Sequence, residues 1–317
     1  MSLFTALDGF ILGRYEPVAE LGSGTTSTVV LAQDHSAKRE VAVKLVLDDK
    51  DLVDRAKAEI AAMSRLKHPN IAGLIDYGWH NGRFAIVMEP APGASLDAAW
   101  AERAPRGREA IDAARQTLNA LSHAHVRGVV HRDIKPANLI LDSTGMVRLI
   151  DFGVAHVADR SALTMVGDLI GTIAYMSPEQ ARGEAATAAS DVWSASIVAY
   201  EGLAGDHPLL GRDPRETHEL VCRGRVTRLR KMRPRLSPQI EAAIHAGLES
   251  RPENRPRAEE LAAELLVAAP PSRRRQRMGV ARARWASGDR LLRQASSEEA
   301  FEVVRVKGIS GPDGQNP

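Results

Sequence analysis

The sequence predicts an α+β fold in two lobes, a small β-rich first part followed by a larger helical part. Three short apolar runs at 15–21, 28–33 and 41–47 are separated by turn-forming residues, which is typical of strands joined by hairpins. From residue 108 onward, apolar residues recur three and four positions apart, which is typical of packed helices. With 317 residues, 44% of them hydrophobic, the chain is long enough for two lobes with their own cores.

The composition excludes several classes of protein. The formal net charge of +2 is too small to indicate nucleic-acid binding by itself. A single cysteine, Cys222, has no partner for an internal disulfide, which indicates a reducing compartment. The chain starts without the basic region of a secretory signal, and no stretch approaches 18 consecutive apolar residues. We therefore expect a cytoplasmic protein that does not span a membrane.

The first part carries a glycine-rich turn and a candidate lysine. Gly22 and Gly24 lie in the first turn, where the absence of a side chain lets backbone amides approach a ligand. Lys44 lies in the third strand, and the helix formers that follow predict a helix that brings Glu59 to it. Taken alone, these features have ordinary alternatives: a plain hairpin turn, a solvated lysine and one more surface acid on a charged helix.

The middle of the chain predicts a strand, a stiff connection and a long helix. The run at 84–88 is apolar throughout, and two prolines follow it within 89–93. From 108 to 125 the apolar positions keep helical spacing. His123 and His125 have no cysteine or acidic partner at ligand spacing, so we expect them to be ordinary residues of this helix.

A cluster of polar residues at 131–138, followed by Asp-Phe-Gly at 151–153, is the main candidate site. It lies between short apolar runs, so we expect its side chains on loops between rigid segments. The flanking runs are predicted to be strands with a turn at Thr144-Gly145: 129–130, 139–141 and 147–150.

The residue types in this cluster suit phosphoryl transfer, which needs an aligned hydroxyl and cations against phosphate oxygens. Asp133 could accept the hydroxyl proton, and Lys135 could hold the γ-phosphate. Asn138 and Asp151 could hold Mg²⁺ through oxygen atoms.

His-Arg-Asp-Ile-Lys-Pro-Ala-Asn at 131–138, together with Asp-Phe-Gly, resembles the catalytic and metal loops of bacterial eukaryotic-like Ser/Thr protein kinases. The resemblance implies a kinase domain over 14–268, with an N-lobe at 14–89, a C-lobe at 90–268 and the nucleotide cleft between them. Residues 1–13 would be a leader, and 269–317 a basic tail that is partly disordered.

The resemblance also implies an ATP site. Ser27 stands where the family has a third loop glycine. Lys44 would grip the α- and β-phosphates and pair with Glu59. Met88 is the implied gatekeeper, while the Glu89 carbonyl and the Ala91 amide and carbonyl would face the adenine. The remaining implied nucleotide contacts are Leu21, Gly22, Ser23, Gly24, Val29, Ala42 and Ile140.

The segment from Asp151 to Glu179 resembles the activation segment of the family. Thr172 is implied to bond Asp133 and Lys135 and to recognise hydroxyl substrates. Thr164 is the expected phosphorylation site, with Ser161 as the second choice. The reason is that Arg132, next to Asp133, is a cation whose charge a phosphate on the activation segment would compensate. Both hydroxyls could instead be ordinary exposed loop residues.

Two structural contacts are also implied by the resemblance. Glu179 would form a buried link with Arg255. Asp191 would hold the backbone of the catalytic loop from below.

These residues imply ATP- and Mg²⁺-dependent phosphorylation of Ser and Thr on protein substrates, with Mn²⁺ as another metal and with autophosphorylation. The alternatives are a pseudokinase scaffold and a small-molecule phosphotransferase. By analogy with bacterial members, a metal-dependent phosphatase and a forkhead-associated-domain protein are the expected partners.

The tail after residue 268 carries ten Lys or Arg against five Asp or Glu, so most of the basic excess is assigned to it. A solvated face or linker is one interpretation. Membrane attachment and nucleic-acid binding fit less well, since large apolar and aromatic residues are few. Autoregulation is the remaining hypothesis: arginines precede Ser296 and Ser297, which predicts autophosphorylation there and modest competition of the tail with substrate.

Overall fold

The structure is a computed structural model that describes residues 9–24, 26–152 and 166–269. Four positions predicted to be phosphorylated, Ser161, Thr164, Ser296 and Ser297, lie outside the described residues. The described part contains a β-sheet lobe followed by a mainly helical lobe, so the predicted α+β class is confirmed.

The first lobe is a five-stranded antiparallel sheet in the spatial order β1-β2-β3-β5-β4. Its strands are β1 (Tyr15–Ser23), β2 (Ser27–Asp34), β3 (Arg39–Leu47), β4 (Leu74–His80) and β5 (Arg83–Met88). Residues of β2 alternate between buried and partly exposed, as expected for a strand with two differently covered faces. The four strands predicted in this lobe are confirmed to within a few residues.

The two faces of the sheet pack differently. One face forms a small core with Tyr15 and Val43, and Ile11, from the predicted leader, is fully buried in it. The other face is covered by helix α1 (Lys50–Met63), which begins after only two residues beyond β3. Asp49 caps α1 by accepting a hydrogen bond from the backbone N–H of Leu52 at 3.1 Å. The short connection fixes α1 close to the strand that carries Lys44.

The second lobe contains a small three-stranded sheet and several helices. The strands are β6 (Ala94–Ser95), β7 (Leu139–Leu141) and β8 (Val147–Leu149). The helices are α2 (Leu96–Glu102), α3 (Gly107–His125), α4 (Val166–Tyr175), α5 (Pro178–Ala181), α6 (Ala188–Ala204), α7 (Pro214–Arg223), α8 (Leu229–Met232), α9 (Pro238–Gly247) and α10 (Ala258–Ala268).

Helix α6 is the centre of this lobe. It is buried on nearly all sides, and α3, α9 and α10 pack around it. It ends at Gly205, whose φ of 89° lies in the left-handed region that favours glycine. In the described part of the chain, no helix is both long and apolar enough to cross a bilayer.

Local predictions and structure differ at a few points. Val129 and Val130, predicted to be a strand, form an irregular connection, because the turn that ends α3 bonds the Val129 N–H back to the Ala124 carbonyl at 3.0 Å. Strand β4 and helix α4 were not predicted. β7, β8 and the turn at Gly145 are confirmed, although β8 ends at Leu149.

Candidate active site

Three charged side chains meet beneath the first sheet. Lys44 on β3 has its Nζ 3.2 and 3.4 Å from the two carboxylate oxygens of Glu59, and 2.9 Å from Oδ1 of Asp151. Glu59 lies on the inner face of α1 because buried residues recur there at helical spacing, including Val53, Ala56, Ile60 and Met63. The predicted pairing of Lys44 with Glu59 therefore has the required geometry, and Asp151 joins it.

Burial and charge act in opposite directions on this cluster. Burial lowers the pKa of the Lys44 ammonium, but Asp151 and Glu59 offset burial and the net shift is upward. Burial raises the pKa of the Glu59 carboxyl, and the adjacent Lys44 only partly opposes the shift. Lys44 thus stays charged, while Glu59 is the member of the pair that takes up a proton when the pH falls.

Asp151 follows strand β8, whose last residue is hydrogen-bonded to the chain just before β4. Backbone hydrogen bonds link the Leu149 N–H to the Asn70 carbonyl at 2.9 Å and the Ala72 N–H to the Leu149 carbonyl at 3.0 Å. Asp151 itself has a φ of 52°, in the left-handed region. A non-glycine residue held there usually marks a functional constraint, which here is the aim of its carboxylate at Lys44.

A second group forms around Asp133. Lys135 Nζ lies 2.9 Å from Asp133 Oδ2 and donates to Thr172 Oγ1 at 3.2 Å. Asn138 Nδ2 donates to the Asp133 backbone carbonyl at 2.8 Å and to its Oδ2 at 3.1 Å. The structure therefore brings together the four residues proposed for the catalytic loop and the hydroxyl-recognising position.

Asp191, at the start of α6, anchors this loop. Its Oδ2 accepts the His131 N–H and its Oδ1 accepts the Arg132 N–H, both at 2.8 Å. Arg132 has a φ of 72°, so the two hydrogen bonds hold a backbone conformation that is otherwise uncommon. The expectation that Asp191 supports the loop is confirmed.

His125 also contacts Asp191, a partner that lies outside the ligand spacing considered in the sequence. The His125 ring Nε2 lies 2.8 Å from Asp191 Oδ2, although 66 residues separate the two in the chain. Spacing along α3 could not show this contact, because the partner comes from another helix. Gln180 is a further residue that the sequence analysis missed: its Nε2 donates to the Arg132 carbonyl at 3.0 Å.

The residues that the resemblance implies as nucleotide contacts lie mainly on strands of the two sheets. Ala42 and Met88 face each other across β3 and β5, and both are nearly buried. Leu21, at the end of β1, is 57% exposed although it is large and apolar, as expected for a side chain that covers a ligand. Val29 packs partly against the main core, and Ile140 pairs with Ser95 in the second sheet.

The connection between the lobes leaves three of its polar backbone atoms available. Among the described residues, no hydrogen bond outside the strand ladders uses the Glu89 carbonyl or the amide and carbonyl of Ala91, while the Glu89 N–H is bonded to Gly73. Gly93 closes the connection with a φ of 127°, and a Cβ there would lie 2.1 Å from the Leu141 carbonyl oxygen. Only glycine fits this approach.

The residues present fit a divalent metal that also binds phosphates. Because Asn138 Nδ2 is engaged with Asp133, its amide oxygen is left to act as a ligand, and the Asp151 carboxylate is 39% exposed. Mg²⁺ is usually held by one or two protein oxygens together with phosphate oxygens. No cluster of three or more His, Cys, Asp or Glu side chains suited to a metal occurs in the described part of the chain, so phosphates would have to complete the coordination.

Glu179 and Arg255 form the predicted structural link. Two guanidinium nitrogens of Arg255 donate to the two Glu179 oxygens at 2.7 and 2.8 Å, and both side chains are almost completely buried. Ser190 donates to the same carboxylate at 2.8 Å. Burial tends to raise the pKa of Glu179, but the hydrogen bonds from Arg255 outweigh it and hold the pKa below its ordinary value.

A β-sheet lobe with a lysine-carboxylate pair, next to a helical lobe with an anchored aspartate loop, defines the protein kinase class. The chain belongs to the protein kinase domain family, whose model matches residues 15–267.

Bacterial Ser/Thr protein kinases are among its relatives. The chain is 36% identical over 206 residues to serine/threonine-protein kinase PrkC of Bacillus subtilis, covering 63% of this chain and 32% of that protein. It is 38% identical over 209 residues to serine/threonine-protein kinase PknA of Mycobacterium tuberculosis, covering 63% and 48%. Against PknB of Mycobacterium leprae the identity is 37% over 211 residues, covering 63% and 34%. The matched region thus spans 32% to 48% of the length of these relatives.

Proposed function

We propose that this protein is an ATP-dependent kinase that phosphorylates serine and threonine hydroxyls on protein substrates. The observation that carries the proposal is the bridge made by Lys135 between Asp133 and Thr172, at 2.9 and 3.2 Å. A substrate hydroxyl placed next to Asp133 would find a proton acceptor and, beside it, a cation. This arrangement supports transfer to a hydroxyl rather than mere binding of a nucleotide.

Each residue has a proposed role in that reaction. Asp133 accepts the hydroxyl proton, and Lys135 faces the transferred phosphoryl group. Thr172 orients Lys135 and meets the substrate hydroxyl. Lys44, held by Glu59, contacts the α- and β-phosphates. In a reaction with little covalent chemistry for the protein, such positioning and electrostatic contacts account for most of the acceleration.

The proposed cofactors are ATP and Mg²⁺, with Mn²⁺ as a substitute. Asn138 and Asp151 would hold the metal, which when bound neutralises charge on the phosphates. Incubation with γ-labelled ATP and a generic acceptor protein tests the reaction, with each metal supplied in turn. Absence of transfer by the folded chain under every metal would reject the proposed activity, and an Asp133→Asn chain serves as the matched control.

We also propose that the kinase phosphorylates itself at Thr164, with Ser161 as the second site. Arg132, next to Asp133, supplies the positive charge that a phosphate would bind. Mass spectrometry after incubation with ATP should find phosphate at Thr164. A Thr164→Ala chain as active as the parent would exclude this regulation.

Ser296 and Ser297 are proposed as further autophosphorylation sites, because arginines precede them. A Ser296→Ala/Ser297→Ala chain should lose the corresponding phosphopeptide and keep the one with Thr164.

By family analogy, a metal-dependent phosphatase and a forkhead-associated-domain protein are the proposed partners. The lone Cys222 supports a reducing, cytoplasmic setting.

A further inference from the structure

The segment 223–235, which runs from the last residue of α7 through α8 towards α9, is strongly cationic. It contains seven Lys or Arg and no Asp or Glu, and all seven side chains belong to exposed residues. They are Arg223, Arg225, Arg228, Arg230, Lys231, Arg233 and Arg235. We call this segment the basic segment.

Most of these cations lack an acidic partner. Arg223 lies 3.5 Å from Glu219, which is an exposed pair of little energetic weight. Arg233 donates to the carbonyls of Leu203 and Ala204 at 2.9 and 3.2 Å, and so caps the end of α6. Within the described residues, the other members of the basic segment form no ion pair with a carboxylate. Their charge is therefore available to an external anion.

A cavity opens beside the basic segment. It has a volume of about 660 Å³ and lies between the start of α3, the end of α6 and residues 232–236. Leu203, Met232 and Leu236 supply apolar walls, and Arg106, Arg233 and Arg235 supply the charged lining. None of the lining residues is acidic, and Met232 is 42% exposed. The site thus offers an apolar recess with three arginines in its lining.

We infer that the cavity and the basic segment together form a docking site for an acidic protein segment that carries an apolar anchor residue. The recess has room for one or two large side chains, and the surrounding guanidinium groups would pair with carboxylates on either side of the anchor. Charge complementarity of this kind favours specificity and rapid association.

Two other anionic partners suit the site less well. Residues 223–236 contain no Phe, Tyr or Trp, the side chains on which the bases of a single-stranded nucleic acid would stack. A membrane surface takes up apolar side chains that protrude, whereas here the apolar groups line a recess. An acidic protein segment is the partner that uses both the charge and the cavity.

The docking site is separate from the catalytic loop. Helix α6 connects the two: Asp191 near its start holds the loop, and Leu203, twelve residues further, lines the cavity. At a rise of about 1.5 Å per residue, this separation is roughly 18 Å. If the protein is a kinase as proposed, a substrate with such a segment is held near Asp133 at raised effective concentration, so docking lowers KM and leaves kcat unchanged.

The docking itself is tested without ATP, by fluorescence anisotropy on the full chain. The probe is a fluorescein-labelled peptide, Gly-Glu-Glu-Leu-Phe-Glu-Glu-Gly. The matched probes replace all Glu by Lys, or Leu and Phe by Ser. We expect the acidic apolar peptide to bind and each matched probe to lose about tenfold or more in affinity. Added salt should weaken binding, because the rim is exposed.

Variants locate the site. Arg106→Glu/Arg235→Glu should lower the affinity about tenfold, and Met232→Ser should lower it for the apolar probe only. Arg39→Glu/Arg65→Glu changes the net charge equally at exposed positions outside the cavity, and should bind like the parent. If both double variants lost the same affinity for the acidic apolar peptide, or if neither lost any, the proposed site would be wrong. Tighter binding of a single-stranded oligonucleotide or of anionic vesicles than of the peptide would overturn it as well.

Kinase assays connect the site to catalysis. When the acidic segment is joined to a serine-containing acceptor peptide, the parent should show a KM about fivefold lower than for the acceptor alone, and Arg106→Glu/Arg235→Glu should abolish this gain at unchanged kcat. An unchanged KM despite binding would reject the substrate role. Complete absence of transfer alongside normal peptide binding would instead reject the proposed kinase activity and leave the docking site standing.

Discussion

Two buried ion pairs, Arg255 with Glu179 and Lys44 with Glu59, have the same charges but different geometry. The first is bidentate, at 2.7 and 2.8 Å, and its arginine side chain is fully buried. The second is longer, at 3.2 and 3.4 Å, and the lysine side chain keeps 16% of its exposure. The Arg255 pair is therefore the tighter and more completely buried of the two.

The difference lies in the hydrogen bonds that surround each pair. Arg255 also donates to the carbonyls of Glu249 and Ala189 at 2.7 and 2.9 Å, so its guanidinium is committed to the protein. Among the described residues, Lys44 is held by Glu59 and Asp151 alone, and a further acceptor such as a phosphate oxygen can approach it. A saturated buried pair fixes a fold, whereas an incompletely saturated one prepares a site for a ligand.

Removing the catalytic cation should give the largest effect on activity. We expect Lys44→Met to reduce phosphoryl transfer on the order of 10³-fold or more, because a contact to the phosphates is lost in the transition state. The fold should persist, since Glu59 can take up a proton in its buried position. Initial rates with labelled ATP, together with circular dichroism, measure both properties. Transfer within tenfold of the parent would show that Lys44 does not contact the phosphates.

Breaking the saturated pair should act on stability instead. We expect Arg255→Met to lower the free energy of unfolding by about 3–5 kcal/mol, since Glu179 is then buried without its partner. Urea denaturation measures the loss, and the exposed Arg257→Met is the control. Stability within about 1 kcal/mol of the parent would contradict the structural role.

Asp191 should show an intermediate behaviour, because it supports the catalytic loop without touching substrate. In Asp191→Asn one acceptor oxygen becomes an amide nitrogen, which cannot accept, so one of the two backbone hydrogen bonds from His131 and Arg132 is lost. We expect kcat to fall about 10- to 100-fold with little change in the KM for ATP. The exposed Asp97→Asn is the control. A matching rise in KM at constant kcat would point to the nucleotide cleft rather than to the loop.

Motif and periodicity predicted most of the site and much of the fold. Glu59 was found because it lies in a run of helix formers that follows Lys44 and ends before Pro69, and the structure puts both in contact. Helix α4 was missed because it contains Gly167, Gly171 and Thr172, which are poor helix formers. Strand β4 was missed because a glycine lies within a mixed polar and aromatic run.

Long-range contacts and local charge were the other omissions. The contact between His125 and Asp191 joins two helices that the sequence places far apart. The basic segment was overlooked because carboxylates elsewhere cancel its seven cations in the sum over the first 268 residues. A net charge averages over a surface, whereas a ligand responds to the field within about a Debye length.

The smallest expected effect concerns the pH dependence of the two glutamates, whose pKa values shift in opposite directions. Glu179 has a lowered pKa, so its contribution to stability is present above its ordinary value of 4.5 and is lost as the pH falls through the native value. Glu59 has a raised pKa, so the folded protein holds a proton that the unfolded chain has released. Its contribution to stability is therefore full below 4.5 and is lost as the pH rises through the native value.

Substitution by glutamine separates the two cases, since it removes each titration at nearly constant shape. Between pH 5 and 8, Glu179→Gln should be less stable than the parent by a nearly constant amount, whereas the stability of Glu59→Gln relative to the parent should increase with pH. Activity requires Glu59 to be ionised, because only the carboxylate holds Lys44. The parent should therefore lose phosphoryl transfer as the pH falls and Glu59 is protonated. In Glu59→Gln the acid side of the pH–rate profile should be flat, at a rate about tenfold lower than that of the parent. Urea midpoints and kcat/KM measured at the same pH values test both trends. Parallel stability profiles for the two variants would mean that burial does not raise the pKa of Glu59, and the contrast between the two pairs would then rest on geometry alone.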